Sequence, residues 1–234
     1  VTNGLPHPDF VARDPETVTG ELMAGYEEMS GRPLQPAQVE RVLIDMVAYR
    51  ETLLRQMIQL TGEQTLLAFA AHPMLDYLGQ FWGVERLPAR PAVTALSFTT
   101  TAESEGLVVV PAGTRVRSKD GAVDFAVDHD VLVTGGGGTG EMDATAQAEG
   151  TIGNGYRPGE IATLVDPVDG VAGVENVQPS FGGAAAETDD RYRSRIQESP
   201  ERLSVAGPYG AYRFHARSVS QSIIDAAVTN PEPG

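Results

Sequence analysis

The 234-residue chain sets 32 acids against 17 bases, a formal net charge of -15, at 41% hydrophobic content and a mean hydropathy of -0.17. Such a chain can bury one large core or two to three small ones. It offers no basic stripe to a nucleic acid, no apolar run near the roughly 18 residues of a membrane span, and, without cysteine, no disulfide, thiol nucleophile or cysteinyl metal site.

Residues 91–180 hold 13 of the acids and 4 of the bases, a surplus that serves solubility or selects partners. Val1 to Asp14 lacks the basic-then-apolar order of a signal peptide, so no export is expected, and the absence of cysteine suits assembly in a reducing cytoplasm.

Asp14-Pro15-Glu16 is a helix start with an acidic first turn, and the helix runs through Glu21 to Met29 until Gly31 and Pro33 end it. A second helix begins near Pro36. It carries Val39, Leu43, Met46, Leu53, Met57 and Leu60 at alternating steps of four and three, with Arg50 interrupting the seam. A stripe of this kind serves either as core or as a helix-to-helix interface; Arg50 favours the interface. After Gly62 a third helical run is expected to reach Ala71, and Pro73 opens a short helix over Met74 to Gly79.

Leu87-Pro88-Ala89-Arg90-Pro91 is a proline-punctuated linker, after which the pattern turns to strands. They are expected at Leu96 to Thr101, Leu107 to Val110, Thr114 to Arg117, Val123 to Val127, Val131 to Thr134, Met142 to Ala148, Ile161 to Leu164 and Val174 to Gln178. Pro111-Ala112-Gly113 and Asp120-Gly121 predict tight antiparallel connections. Beyond the small-residue stretch Phe181 to Glu187, Thr188-Asp189-Asp190 caps a helix through Ile196, Pro208 to Ser218 reads as another, and Ile223 to Val228 reads as a last strand. A strand left without a neighbour there implies that the last segment is incomplete or is completed by a partner chain.

Several patterns mimic chemistry. Gly135, Gly137 and Gly140 satisfy the spacing of a dinucleotide loop, but the alternating segment that follows predicts no helix to hold a phosphate. In Asp128-His129-Asp130 a strand would point the histidine away from both acids, and the four histidines show no ligand spacing. Asp189 with Asp190 reads as a helix cap and Glu103 with Glu105 as a polar loop, rather than as acid/base pairs. No G-x-S-x-G occurs. The expectation is a protein without catalytic residue, metal or cofactor.

Leu75-Asp76-Tyr77-Leu78-Gly79 with Gly83 and Arg86, Val110-Pro111-Ala112-Gly113-Thr114-Arg115-Val116, Asp120-Gly121 with Phe125, and Gly150-Thr151-Ile152-Gly153-Asn154 with Gly159 occur in an order and spacing that resemble the baseplate J-like proteins of contractile phages. So do Ala144 to Ala148, Pro167-Val168-Asp169-Gly170-Val171, Val174-Glu175-Asn176, the run Asp189 to Ile196, Leu203-Ser204-Val205-Ala206-Gly207, Gly210-Ala211-Tyr212 and His215-Ala216-Arg217, so that the resemblance covers about residues 40 to 230. It implies a wedge component of a virion tail baseplate, assembled in the host cytoplasm around the tail hub. The implied partners are a tail protein I-like subunit, a sheath-initiator-like protein and further copies of the chain, and the implied action is rearrangement when contraction is triggered. Family members usually continue past Asn230-Pro231-Glu232-Pro233.

The expected fold is α+β in three pieces: a helical region over 1–88, a mainly antiparallel β domain over 92–180, and an incomplete α/β segment over 187–234. The expected interface is Val39, Leu43, Met46, Arg50, Leu53, Met57 and Leu60. A host-surface carbohydrate-binding tail module is the alternative; it would stand alone, whereas a wedge subunit recruits neighbours through apolar helical surface.

Overall fold

The computed structural model describes residues 4–203 and 209–229. The expected matches at 204–208 and the closing Pro231-Glu232-Pro233-Gly234 lie outside the described residues. The chain divides into two compact units, Val1–Glu85 with Asp189–Gln197, and Arg86–Thr188 with Glu198–Gly234. The architecture is α+β. Contacts assign the residues expected as one 187–234 piece to both units, because the helix after Thr188 is held by carbonyls of the first.

In the first unit, α1 (Pro15–Ser30) starts as its sequence dictates. Asp14 accepts from the Thr17 N–H at 2.9 Å, Pro15 occupies the first turn, and Gly31 at φ 69° closes the helix with its N–H on Glu27 O. The hydrogen bonds from Thr17, backbone first, hold the Asp14 carboxyl below its ordinary range. α2 spans Val39–Gln64 and α3 spans Met74–Phe81.

The helical run expected from Gly62 to Ala71 is a correction: α2 itself continues through Gly62 to Gln64, and residues 65–69 form turns. There the Ala71 N–H donates to Gln64 Oε1, while the carbonyls of Leu67 and Ala70 accept from Arg193. The donor that replaces the helical bonds therefore comes from α4 (Asp189–Glu198), more than a hundred residues away.

The second unit holds a six-stranded sheet with order β7-β3-β4-β6-β1-β8 and a two-stranded ribbon, β2-β5. The strands are β1 (Pro91–Thr100), β2 (Leu107–Val110), β3 (Arg115–Ser118), β4 (Asp124–Val127), β5 (Val131–Thr134), β6 (Thr139–Glu149), β7 (Ile161–Leu164) and β8 (Val171–Asn176). Every pairing among the described residues is antiparallel. Alternation sends Leu96, Phe98, Val116, Phe125, Val133 and Ile161 into one core.

β1 begins five residues earlier than expected, since proline is tolerated as a first strand residue and the Arg90 and Ala184 backbones exchange hydrogen bonds just before it. β6 likewise starts inside the glycine cluster, where a Cβ at Gly140 would press on Val133. The predicted hairpin is present: Gly121 has φ 76°, and Asp120 accepts from Ser118 Oγ, Ala122 N–H and Tyr156 Oη. Those bonds, Ser118 first, hold the Asp120 carboxyl low.

The outermost strands β7 and β8 are joined through one buried side chain. Asn176 Oδ1 accepts from the Ile161 N–H at 2.9 Å, and its Nδ2 donates to Arg157 O and Gln178 O at 3.0 and 2.8 Å. After the 3-10 turn Ser199–Leu203, α5 (Tyr209–Val219) buries Phe214, and its Arg217 pairs with Glu198. The strand expected at Ile223 to Val228 is absent: no described strand lies alongside to complete a ladder, and Ile224 is exposed.

Candidate assembly interface

α2 is amphipathic, with its apolar seam outward. Its inward face is the small and polar stripe of buried Ala48, Thr52 and Gln59 with half-buried Arg55 and Gly62, again at steps of four and three. Gln59, 4% exposed, accepts from the Phe10 N–H and donates to Pro8 O and Glu63, while Arg55 donates to Glu51, Glu21 and Ala12 O. The Phe10 ring lies 2.6 Å from where a Cβ at Gly62 would sit. Gln59 and Arg55 find partners on α1 or the arm before it, and Thr52 donates to the Ala48 carbonyl one turn back.

The opposite face is the seam. Val39, Leu43, Met46, Arg50, Leu53, Met57 and Leu60 are all exposed, Val39 at 74% and Met57 at 59%. The structure thus brings all seven expected residues onto one face. Val42, Val47, Tyr49, Leu54 and Ile58, also exposed, widen it beyond the expected line. Their signal was legible: a helix 26 residues long with apolar residues this far around its circumference exceeds the narrow stripe that one partner helix covers. At one end, Leu22, Gly25, Tyr26 and Met29 of α1 and Leu43, Ile44 and Val47 of α2 line a groove of about 380 Å³.

The other patterns do not converge. The Gly135 and Gly137 amides donate to Gly106 O and Thr101 O, and a strand follows them. Asp130 caps the Ala112 N–H, Asp189 accepts from the His72 N–H, and Asp190 pairs with Arg193. Glu103 and Glu105 are exposed. Among the described residues no three His, Asp or Glu side chains group as metal ligands, and no helix is long and apolar enough to cross a membrane.

Two family profiles match adjoining parts of the chain: the baseplate J-like N-terminal domain at residues 41–92 and the baseplate J-like protein barrel domain at residues 95–183. The chain belongs to the baseplate J-like family. Within it, baseplate protein gp47 of Escherichia phage Mu is 30% identical over 218 residues, 90% of this chain and 58% of its own length. Baseplate protein J of Escherichia phage P2 is 50% identical over 50 residues, 21% of this chain and 17% of its own. The chain therefore spans less than two thirds of these curated baseplate J-like relatives. A chain of the six-fold symmetrised cryo-EM structure of the anti-feeding prophage (AFP) baseplate aligns over 90% of this chain and 57% of its own, at a TM-score of 0.44 and 15% identity.

Proposed function

We propose that this chain is a non-catalytic structural subunit of a contractile-tail baseplate and that the α2 seam is where a neighbouring wedge subunit packs. The observation that carries the reading is the exposure of Val39, Leu43, Met46, Leu53, Met57 and Leu60 while the polar stripe behind them is buried. A helix of 26 residues spans about 39 Å, and fully burying one leucine is worth about 1.5–3 kcal/mol, so a partner helix along this seam gains a strongly favourable contact. Family membership supports the same reading.

In this reading the chain links wedge subunits around the tail hub and changes their arrangement when sheath contraction is triggered. Its neighbours are a tail protein I-like subunit, a sheath-initiator-like protein and further copies of itself, met in the host cytoplasm before incorporation into the virion. No cofactor takes part.

Co-expression with the neighbouring tail genes tests it. Leu43→Asp with Leu53→Asp should abolish co-purification of the partners while the β unit keeps its fold. Unchanged co-purification overturns the seam as the interface, and loss of all soluble protein assigns it to an intramolecular core instead.

A further inference from the structure

β2 reads Leu-Val-Val-Val and β5 reads Val-Leu-Val-Thr, nearly unbroken apolar runs of the kind found in strands covered on both faces. Only one face is covered. Val110, Val131 and Val133 enter the core, whereas Leu107, Val109 and Leu132 stand outward at 64%, 49% and 63% exposure. Val109 and Leu132 are direct cross-strand partners and Leu107 lies two residues along the same face, so the three form one patch. Elsewhere on this unit, outward strand positions include the charged Arg117, Asp124, Glu141 and Asp143.

The rim of the patch has one sign. Glu103 and Glu105 precede β2, and Asp130 precedes β5 and caps Ala112. All three acids are exposed, and the segments 101–114 and 128–141 contain no Lys or Arg. A second copy of the patch would set these carboxylates against one another, which disfavours self-pairing.

The footprint also selects a shape. Leu107 and Val109 lie about 7 Å apart along the strand, and Leu132 about 5 Å across, close to the spacing of two apolar side chains one helical turn apart. An added strand would extend the ribbon edge and leave this face open, whereas a helix laid across it covers all three side chains.

We infer that the outer face of the β2–β5 ribbon docks a basic amphipathic helix of a partner protein, with its apolar residues on Leu107, Val109 and Leu132 and its Lys or Arg side chains on the acidic rim. This surface is separate from the α2 seam and stands whether or not the seam binds a wedge neighbour.

The probe is a helical Leu/Lys peptide of about 18 residues, titrated into the full chain with leucine and valine methyls labelled for NMR. Shifts should concentrate at Leu107, Val109 and Leu132. Leu107→Ser with Leu132→Ser should weaken the affinity about tenfold or more, with Val109→Thr as a milder second variant. Glu103→Gln with Glu105→Gln should weaken it several-fold and reduce its salt dependence. The seam variant Leu43→Asp with Leu53→Asp should leave the ribbon shifts in place. Shifts confined to α2, equal binding of a Leu/Glu peptide, unchanged affinity in the ribbon variants, or self-association that depends on Leu132 would each overturn the inference.

Discussion

The Tyr192 hydroxyl occupies the space that a side chain at Gly79 would need, and from there it donates to Val84 O at 2.7 Å. Glycine in the middle of α3 lowers helix propensity, so its presence is explained by this fit and not by the helix. Gly79→Ala should destabilise the helical unit by about 2–3 kcal/mol, and Tyr192→Phe, which keeps the shape and removes the donor, by about 1–2 kcal/mol. Trp82, the sole tryptophan, belongs to the same unit, so its fluorescence during urea unfolding reads both changes. An unshifted midpoint for Gly79→Ala would show that α4 does not seat against α3 as described.

The two faces of α2 should respond oppositely to substitution. Gln59→Ala removes three hydrogen bonds from a buried position and should cost about 2 kcal/mol or more, whereas Met57→Gln on the exposed seam should change the stability of the isolated chain by less than about 0.5 kcal/mol. Thermal denaturation followed at Trp82 separates them. Equal losses at both positions would contradict the assignment of inside and outside.

Much of this was written in the chain. Asp14-Pro15 and Gly31 set the limits of α1, Asp120-Gly121 placed the β3–β4 hairpin, and strand-like runs between turn residues marked the eight strands of the sheet and ribbon, because each signal is local and its physics lies within a few residues. The seam was legible as a stripe. Arg50 within it pointed to an interface; the face behind it was not legible, since the burial of Gln59 depends on Pro8 and Phe10, some fifty residues away. The corner at 65–71 failed for the same reason at longer range: an apolar run after a helix reads as more helix until Arg193 is known to reach its carbonyls. Ile223 to Val228 has strand-like composition, but strand formation requires a neighbour that no local rule supplies.

Asn176 performs a task that a backbone ladder performs elsewhere in the sheet. Asn176→Leu keeps a comparable volume but leaves the Ile161 N–H and the Arg157 carbonyl without this partner, at a cost of about 3 kcal/mol or more. Hydrogen exchange of the Ile161 amide is the direct measurement. It should accelerate more than the amides of the β1–β6 pairing, and uniform behaviour across the sheet would show that β7 and β8 are held by other means.

Arg115 grips Asp166 through two side-chain hydrogen bonds and its own backbone N–H, which together hold the Asp166 carboxyl at about 2 against an ordinary 3.8. A carboxyl lowered by folding contributes stability that is present above its ordinary pKa and is lost as the pH falls through the folded value. The contribution should therefore disappear between about pH 4 and pH 2. Arg115→Met should return Asp166 toward 3.8 in a carbon-detected NMR titration of the carboxyl groups. Titration of Asp166 near 3.8 in the unaltered chain would count against the pair.

The course of the chain between its two units sets a constraint on anyone who would divide it. It leaves the helical unit after Glu85, returns for the nine residues Asp189–Gln197, and leaves again, so neither unit is one continuous stretch of polypeptide. A fragment stopped at Glu85 would lack Tyr192 and Arg193, and with them the donors for the carbonyls of Val84, Leu67 and Ala70. A gene fragment drawn at the linker, where the texture of the sequence invites the cut, would therefore encode an unfinished bundle. Supplying α4 in trans, or grafting it back through a short tether, is the way to isolate the helices with their native fold.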